Sequence, residues 1–130
     1  MAIDRGDWHY EEAGDWERAC WHIGLFLRWA AERGLASDEI DPKAAAQDST
    51  NYFIRHCDAK LWDEDLNEEG VSFAGACYKD YLAAVSAYAK QRQVGDYEIP
   101  HDEQSREWFF AWLDQRLEAW RQEPGNAEPQ

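Results

Sequence analysis

The sequence predicts an all-α protein: a single compact domain of about four to five helices, packed as a bundle or at orthogonal angles. Three observations lead to this fold class. Apolar residues recur at intervals of three and four in the long segments, cap-forming residues flank these segments, and no alternating run of strand length stands out. The chain has 130 residues, enough for one such domain. We assign residues 1–122 to it and residues 123–130 to a flexible, polar C-terminal tail.

The first strong helix follows a polar lead-in and covers the segment DWERACWHIGLFLRWAAERG. Asp15 is a suitable N-cap, and Gly34 is expected to end the helix after Arg33. The apolar residues form a stripe that is predicted to be buried and is wide enough to need neighbours on two sides. This stripe contains Trp16, Ala19, Ile23, Phe26, Leu27 and Ala30, and it is widened by Trp21, Leu25 and Trp29.

Shorter elements follow in the middle of the chain. The tripeptide DPK at 41–43 indicates a helix start, because Pro is well tolerated in the first helical turn. Tyr52, Phe53 and His56 indicate a short helix over about 49–57. The segment DAKLWDED, residues 58–65, is expected to run as a loop or an irregular turn.

Two long helices complete the prediction, over about 66–92 and 103–122. The first carries a broad apolar face at helical spacing, and Glu68 and Glu69 in its first turn suit the helix dipole. Asp102 is expected to cap the second, which is rich in Trp and Phe. The linker VGDYEIPH between them is expected to hold a short extended piece.

The charge of the chain restricts its partners. With 13 basic and 27 acidic residues, the formal net charge is −14. Such a surface repels nucleic acids and anionic membranes and favours a basic protein partner, although acidity also serves solubility. No apolar run reaches membrane-spanning length and no apolar leader is present, so we expect a cytoplasmic protein. Cys20, Cys57 and Cys77 lack paired spacing and are predicted to pack in the core.

The segment DAKLWDEDLNEEG places six carboxylates within residues 58–69. Asp63, Asp65 and Asn67 have the 1, 3, 5 spacing of an EF-hand loop, but Glu68 replaces the required Gly and Ala74 the required Glu. A catalytic carboxylate pair would need a cleft that the sequence does not reveal. Trp62 among these acids is interpreted either as an interface anchor or as a hydrophobic latch on the core.

The histidines do not form a recognisable metal motif, since neither HxxxH nor HExxH occurs. His22 borders the apolar stripe of the first helix. We expect it to be a core-edge histidine bonded to a carbonyl or a carboxylate, and a role in metal binding or proton transfer is the alternative. Nucleotide-binding glycine motifs are absent. The sequence therefore predicts no cofactor, no metal and no catalytic residue.

Two segments carry a family resemblance: HIGLFLRWAAERGL at 22–35 and CDAKLWDEDLNEEGVSFAGACYKDYL at 57–82. Together with Trp8 and His9, they resemble a family of small acidic bacterial proteins over about the first 90 residues. Cys77 and Tyr78 stand where two aromatic residues are common in that family. The resemblance implies a mostly helical fold and a bacterial cytoplasmic setting, with no activity that carries over. Some relatives are similar to immunity proteins encoded beside polymorphic toxins.

These observations lead to one hypothesis and two alternatives. The hypothesis is a non-enzymatic immunity-type protein that occludes a basic toxin domain, such as a nuclease, with an acidic surface. A small enzyme or metal-binding domain using His22 and nearby carboxylates is the first alternative, and a structural adaptor domain is the second. Homo-oligomerisation is left open. The partner-binding residues are predicted to be Asp58, Trp62, Asp63, Glu64, Asp65, Glu68 and Glu69.

Overall fold

Residues 1–124, the part described by the computed structural model, form six α-helices and one two-stranded sheet. Four of the helices have at least seven residues, so the predicted all-α single domain is confirmed. Residues 125–130, most of the predicted flexible tail, lie outside the described residues. The helices are α1 Tyr10–Ala13, α2 Trp16–Glu32, α3 Pro42–Gln47, α4 Ser49–His56, α5 Glu68–Gln91 and α6 Glu103–Gln122, and the strands are β1 Ala2–Arg5 and β2 Lys60–Trp62.

Helix α2 lies at the centre of the fold, as its wide apolar stripe predicts. Its aromatic side chains face α5, where Phe26 packs edge-on against Tyr78 and Trp29 packs against Phe73. The opposite side of α2 packs on α3 and α4. Contacts on both sides explain why the helix buries eleven of its seventeen residues.

The predicted helix starts are confirmed by side-chain caps. Asp15 accepts a hydrogen bond from the backbone N–H of Arg18 at the start of α2, and Asp102 accepts one from Ser105 at the start of α6. These caps satisfy backbone donors that have no partner within the helix. Gly34 follows α2 with a φ of +75°, a conformation that favours glycine.

Gly24 allows α2 and α4 to approach closely. A Cβ atom at this position would lie 2.9 Å from the carbonyl oxygen of Ser49 and 3.2 Å from the Cα of Thr50. Both are backbone atoms at the start of α4, so neither can be moved by a change of side-chain rotamer. The glycine of the HIGLFL segment therefore sets the spacing between these two helices.

The small sheet is the main departure from the predicted fold. β1 pairs antiparallel with β2, with Ala2 opposite Trp62 and Arg5 opposite Lys60. The polar lead-in and the predicted loop at 58–65 thus contain strands, and a 3₁₀ turn at Asp63–Asp65 follows the second strand. Strands of four and three residues are too short to produce a recognisable alternation of apolar and polar residues.

The linker between α5 and α6 also differs from the prediction. Residues 92–102 form turns and bends, and no strand lies within them. A hydrogen bond from the backbone N–H of Gly95 to the side chain of Glu98 closes one of these turns. Among the helices of residues 1–124, none combines the length and the apolar character that crossing a membrane requires.

Candidate functional site

The predicted acidic segment divides between exposed and structural side chains. Asp58, Trp62 and Glu64 are exposed. Asp58 adopts a positive φ of 56° at the turn before β2, and its carboxylate lies 3.4 Å from the Nζ of Lys60. These exposed side chains remain available to a partner.

Asp65 has a structural role that the sequence analysis missed. Its carboxylate accepts a hydrogen bond of 2.9 Å from the backbone N–H of Trp62, which closes the 3₁₀ turn. Burial raises the pKa of Asp65, and the bond from Trp62 opposes this rise. Asp65 thus stabilises the turn before α5 besides contributing a carboxylate to the predicted acidic segment. Asp63 lies in the same turn, and its Oδ1 is 3.1 Å from the amino group of Met1.

The start of α5 accounts for the remaining predicted residues. Asn67 caps the helix by accepting a bond from the backbone N–H of Gly70, and Glu68 is exposed in the first turn. Glu69 forms a two-pronged ion pair with Arg121 of α6, at 2.8 and 2.9 Å. The bonds from Arg121 lower the pKa of the Glu69 carboxyl. Glu69 thus connects the two long helices.

Four aromatic side chains of the N-terminal residues and of β2 are exposed, and we refer to them together as the aromatic face: Trp8, Tyr10, Trp16 and Trp62. The fractional exposures are 59% for Trp8, 41% for Tyr10, 45% for Trp16 and 37% for Trp62. The rings of Tyr10 and Trp16 lie 4.7 Å apart, and Arg5 lies over the ring of Trp8. The prediction that Trp16 belongs to the buried stripe is wrong, because this first residue of α2 packs against Tyr10 instead.

A cleft of about 430 Å³ connects this surface to the predicted site, and its lining includes Asp7, Trp16, Asp58 and Lys60. In β2, Leu61 is fully buried, so Lys60 and Trp62 point to the opposite face of the strand. Because Lys60 lines the cleft beside Trp16, Trp62 lies on the same side of the molecule. The structure thus brings Asp58 and Trp62 together with residues of the N-terminal segment.

Carboxylates surround the aromatic face. Residues 1–18 carry five exposed acidic side chains, whereas the two arginines of this segment, Arg5 and Arg18, lie within ion-pair distance of Asp7 and Asp15. Asp58 and Glu64, which lie before and after β2, add two more exposed carboxylates. The five acids of the N-terminal segment are Asp7, Glu11, Glu12, Asp15 and Glu17.

A second cleft, of about 480 Å³, lies between α2, α4 and the start of α6. Two of its four acidic residues cap helices, since Asp48 caps α4 and Asp102 caps α6. Its basic residues are likewise paired, with Arg28 bonded to Glu32 and Arg106 near Glu103. We therefore assign this cleft a structural origin.

A buried polar cluster is centred on Asp4 of β1, which is 2% exposed. Its carboxylate accepts hydrogen bonds of 2.7 Å from the Tyr78 hydroxyl and of 2.8 Å from the backbone N–H of Arg5. The Nε2 of His9 lies 2.7 Å from Oδ1 of Asp4, and its Nδ1 lies 2.6 Å from the Tyr97 hydroxyl. The cluster joins the N-terminal segment to α5 and to the linker before α6.

His22 of α2 completes this cluster. Its imidazole is 4% exposed, and its ring lies edge-on to that of His9 at 4.6 Å. The Nε2 atom lies 3.4 Å from Oδ2 of Asp4, yet it makes no hydrogen bond within residues 1–124. An unpaired buried polar atom of this kind costs about 1–3 kcal/mol. The expected core-edge histidine beside a carboxylate is therefore present, but its Nε2 atom makes no hydrogen bond to that carboxylate.

The electrostatics of the cluster favour a charged Asp4 and a neutral His22. Burial raises the pKa of Asp4, but the combined interactions with His22, His9 and Tyr78 outweigh it and hold that pKa well below its usual range. Burial lowers the pKa of His22, and the attraction to Asp4 opposes this only in part. Burial also raises the pKa of the Tyr97 hydroxyl to about 12, so it is protonated at neutral pH.

Sequence comparison places the chain in a family. The family described as a domain of unknown function (DUF7832) matches residues 2–109. The chain belongs to this family. No curated protein and no solved structure matches the chain. The DUF7832 match includes β1, α2 and the acidic segment, and it ends within α6.

Sequence reasoning had singled out His22 but missed its two neighbours in this DUF7832 domain. Asp4 lies in a strand, His9 in the turn before α1 and His22 in a helix. No motif with a fixed sequence spacing connects residues of three different elements, so the sequence did not group them. The one signal was the Trp8–His9 pair within the family resemblance. Trp8 and Tyr10 were missed as surface aromatics because the sequence predicted no structure for the segment that contains them.

Proposed function

We propose that this DUF7832 protein is a non-enzymatic binding protein of the immunity type, which captures a basic toxin domain in the bacterial cytoplasm and occludes its site. The observation that supports this most strongly is the aromatic face, where Trp8, Trp16 and Trp62 are exposed among carboxylates. Exposed Trp is uncommon, whereas Trp is enriched at the energetic centres of protein interfaces.

The distribution of charge supports a basic partner. The net charge is −14, and the exposed acids at Asp7, Asp58 and Glu64 border the aromatic face. Carboxylates at the edge of an interface accelerate association with a basic surface, and buried aromatic rings then slow dissociation. If the partner is a nuclease, the carboxylates take the place of the nucleic-acid phosphates.

The test is binding to the product of the neighbouring gene, measured by calorimetry and by association kinetics at several salt concentrations. We expect a 1:1 complex whose association rate falls steeply as salt increases. Failure of every basic neighbouring gene product to bind at any salt concentration would overturn the proposal.

Matched variants locate the interface. Trp8→Ala and Trp62→Ala each remove an exposed ring, and we expect at least one of them to weaken binding about 30-fold, as substitution of an interface anchor does. Asp58→Lys and Glu64→Lys are expected to lower the association rate. Glu118→Lys, on the exposed side of α6, makes the same charge change away from the aromatic face and is the control. Equal effects for the control and the face variants would contradict this assignment.

A further inference from the structure

The cluster of Asp4, His9 and His22 has the composition and spacing of a metal-binding site. One carboxylate oxygen and two imidazole nitrogens lie within 4.8 Å of one another. They come from three separate elements, namely β1, the turn before α1, and the middle of α2. Two neutral imidazoles with one carboxylate form a ligand set that suits zinc and other divalent transition metals.

One distance within the cluster, between His22 and Asp4, fits a metal better than it fits a hydrogen bond. Ligand atoms around tetrahedral zinc lie about 3.3–3.4 Å apart, given metal–ligand bonds of about 2.0–2.1 Å. The distance from His22 Nε2 to Asp4 Oδ2 is 3.4 Å, and this contact is not a hydrogen bond. The 2.7 Å contact between His9 and Asp4 would have to widen by about 0.6 Å to reach this spacing.

The unpaired Nε2 atom of His22 is the independent observation that points to a ligand. This atom is buried, it faces the Asp4 carboxylate, and no donor or acceptor within residues 1–124 satisfies it. Buried polar atoms in folded proteins are nearly always paired, so an unpaired one calls for a specific explanation. Coordination of a metal ion by this lone pair would satisfy it.

The groups around the cluster are those that orient metal ligands. The hydroxyl of Tyr97 lies 2.6 Å from the second ring nitrogen of His9, and the hydroxyl of Tyr78 donates to Asp4. Such outer partners fix the orientation of imidazole and carboxylate ligands. A cleft of about 270 Å³ at Tyr97 is lined by three acidic residues, Glu12, Asp96 and Glu98, and by Arg18, among others.

We propose that Asp4, His9 and His22 bind one divalent transition-metal ion, with zinc as the first candidate. The ion would connect β1 and the turn before α1 to the central helix. Three protein ligands leave a fourth coordination position for water on the side of His9, the most exposed of the three residues. This site does not depend on the partner proposed above.

The experiment is a titration of the chelator-treated full-length chain with Zn²⁺, followed by calorimetry and by thermal unfolding. We expect one equivalent to bind and to raise the melting temperature. His9→Gln and His22→Gln are expected to weaken binding by more than about 100-fold, and Tyr97→Phe by about 10-fold, as for the loss of an outer partner. His56→Gln, on the exposed side of α4, is the control and should bind as the wild type does.

A gain-of-signal variant keeps the test decisive if the glutamine variants do not fold. His9→Cys is expected to give a sulfur-to-cobalt absorption band with Co²⁺, whereas the wild type and His56→Cys should not. Far-UV circular dichroism establishes folding. Absence of one-equivalent binding in the wild type, or unchanged Zn²⁺ affinity in folded His9→Gln and His22→Gln, would overturn the proposal, as would a folded His9→Cys chain without the band.

Discussion

The hydroxyl of Tyr78 donates to the buried, charged carboxylate of Asp4, whereas the hydroxyl of Tyr81, one helical turn later, donates to the backbone carbonyl of His22. Both tyrosines are buried. The difference between their acceptors allows a direct comparison, because hydrogen bonds to charged groups are stronger than those to neutral groups.

We predict that Tyr78→Phe lowers the free energy of unfolding by about 1.5–3 kcal/mol and Tyr81→Phe by about 0.5–1.5 kcal/mol. Urea unfolding of both variants in parallel at neutral pH measures the difference. A larger loss for Tyr81→Phe would contradict the assignment of a charged Asp4.

The three cysteines are buried, and burial raises the pKa of the Cys20 and Cys57 thiols to about 12. The thiolate is the reactive form of cysteine, so both access and ionisation are restricted. We predict that iodoacetamide at pH 8 leaves the folded chain unmodified and labels all three cysteines after denaturation in guanidinium. Mass spectrometry counts the labels, and stoichiometric labelling of the folded chain would contradict the prediction.

At the scale of single residues, the sequence predicted the roles of side chains whose partners are close to them in the sequence. Asp15 and Asp102 cap the helices that follow them, as the local spacing indicated. The sequence could not predict the role of Asp4, whose hydrogen-bond partner Tyr78 lies 74 positions away. The structural role of Asp65 was missed for another reason, since it required knowledge that a 3₁₀ turn follows β2.

At the scale of elements, the contact between α2 and α4 depends on Gly24. Replacement by Ala favours a helix by about 1 kcal/mol, but the new Cβ would lie 2.9 Å from a backbone oxygen of α4. We predict that Gly24→Ala lowers the free energy of unfolding by about 1–3 kcal/mol, as overpacking does.

Gly75 of α5 is the matched control, because a Cβ there meets no atom within 4 Å. Gly75→Ala is expected to raise the free energy of unfolding by about 0.5–1 kcal/mol through helix propensity alone. Thermal and urea unfolding should therefore show changes in the free energy of unfolding of opposite sign for the two variants, if α2 and α4 approach as closely as described. Stabilisation by both substitutions would contradict it.

Asp114 of α6 connects that helix to α2. It accepts bonds from the Nε1 of Trp29 at 2.8 Å and from Arg33 at 2.7 and 2.9 Å, and the bonds from Arg33 lower its pKa. A carboxyl whose pKa is lower in the folded chain adds stability above its unfolded pKa, about 3.9, and loses it as the pH falls through the folded value.

We therefore predict that Asp114→Asn is less stable than the wild type at pH 7, by about 1 kcal/mol or less because the side chain is partly exposed. The difference should shrink as the pH falls below about 4, where the wild-type carboxyl becomes protonated. Urea unfolding of both proteins between pH 2.5 and 7 checks this, with the pH steps set around the carboxyl range of about 3–5. A constant difference would mean that the charge of Asp114 does not contribute.

Element prediction succeeded where a segment is long and its pattern is periodic. The bounds of α2 and α6 follow from their caps and from helical spacing, and the structure confirms them closely. β1 and β2 were missed because their pairing is a contact between residues about 60 positions apart. The aromatic face depends on this pairing, so its extension to Trp8 and Trp16 was beyond prediction, although Asp58 and Trp62 were identified.

At the scale of the whole molecule, the family match ends before the folded domain does. The match ends at Phe109, but α6 continues to Gln122 and buries Leu113, Leu117 and Trp120 in the common core. Trp120 packs edge-on against Phe73 of α5. The residues beyond the match are therefore part of the same hydrophobic core.

We predict that a chain ending at residue 109 loses the cooperative unfolding transition of the full-length chain. Removal of four large core side chains, Phe110, Leu113, Leu117 and Trp120, costs several kcal/mol, which is comparable with the total stability of a domain of this size. Differential scanning calorimetry of the two chains checks this. A cooperative transition of the shortened chain near the full-length melting temperature would show that residues 2–109 fold alone.

The Asp4 cluster also determines the order in which the chain can complete its fold during synthesis. β1 is synthesised before its partners, since its pairing strand lies at 60–62 and the member of its polar cluster that is latest in the sequence is Tyr97. At about 5–20 residues per second, the nascent strand waits roughly 5–20 seconds for that residue. The partners of α2 in α3 and α4 are synthesised earlier, so we expect the N-terminal segment to dock after these three helices have packed.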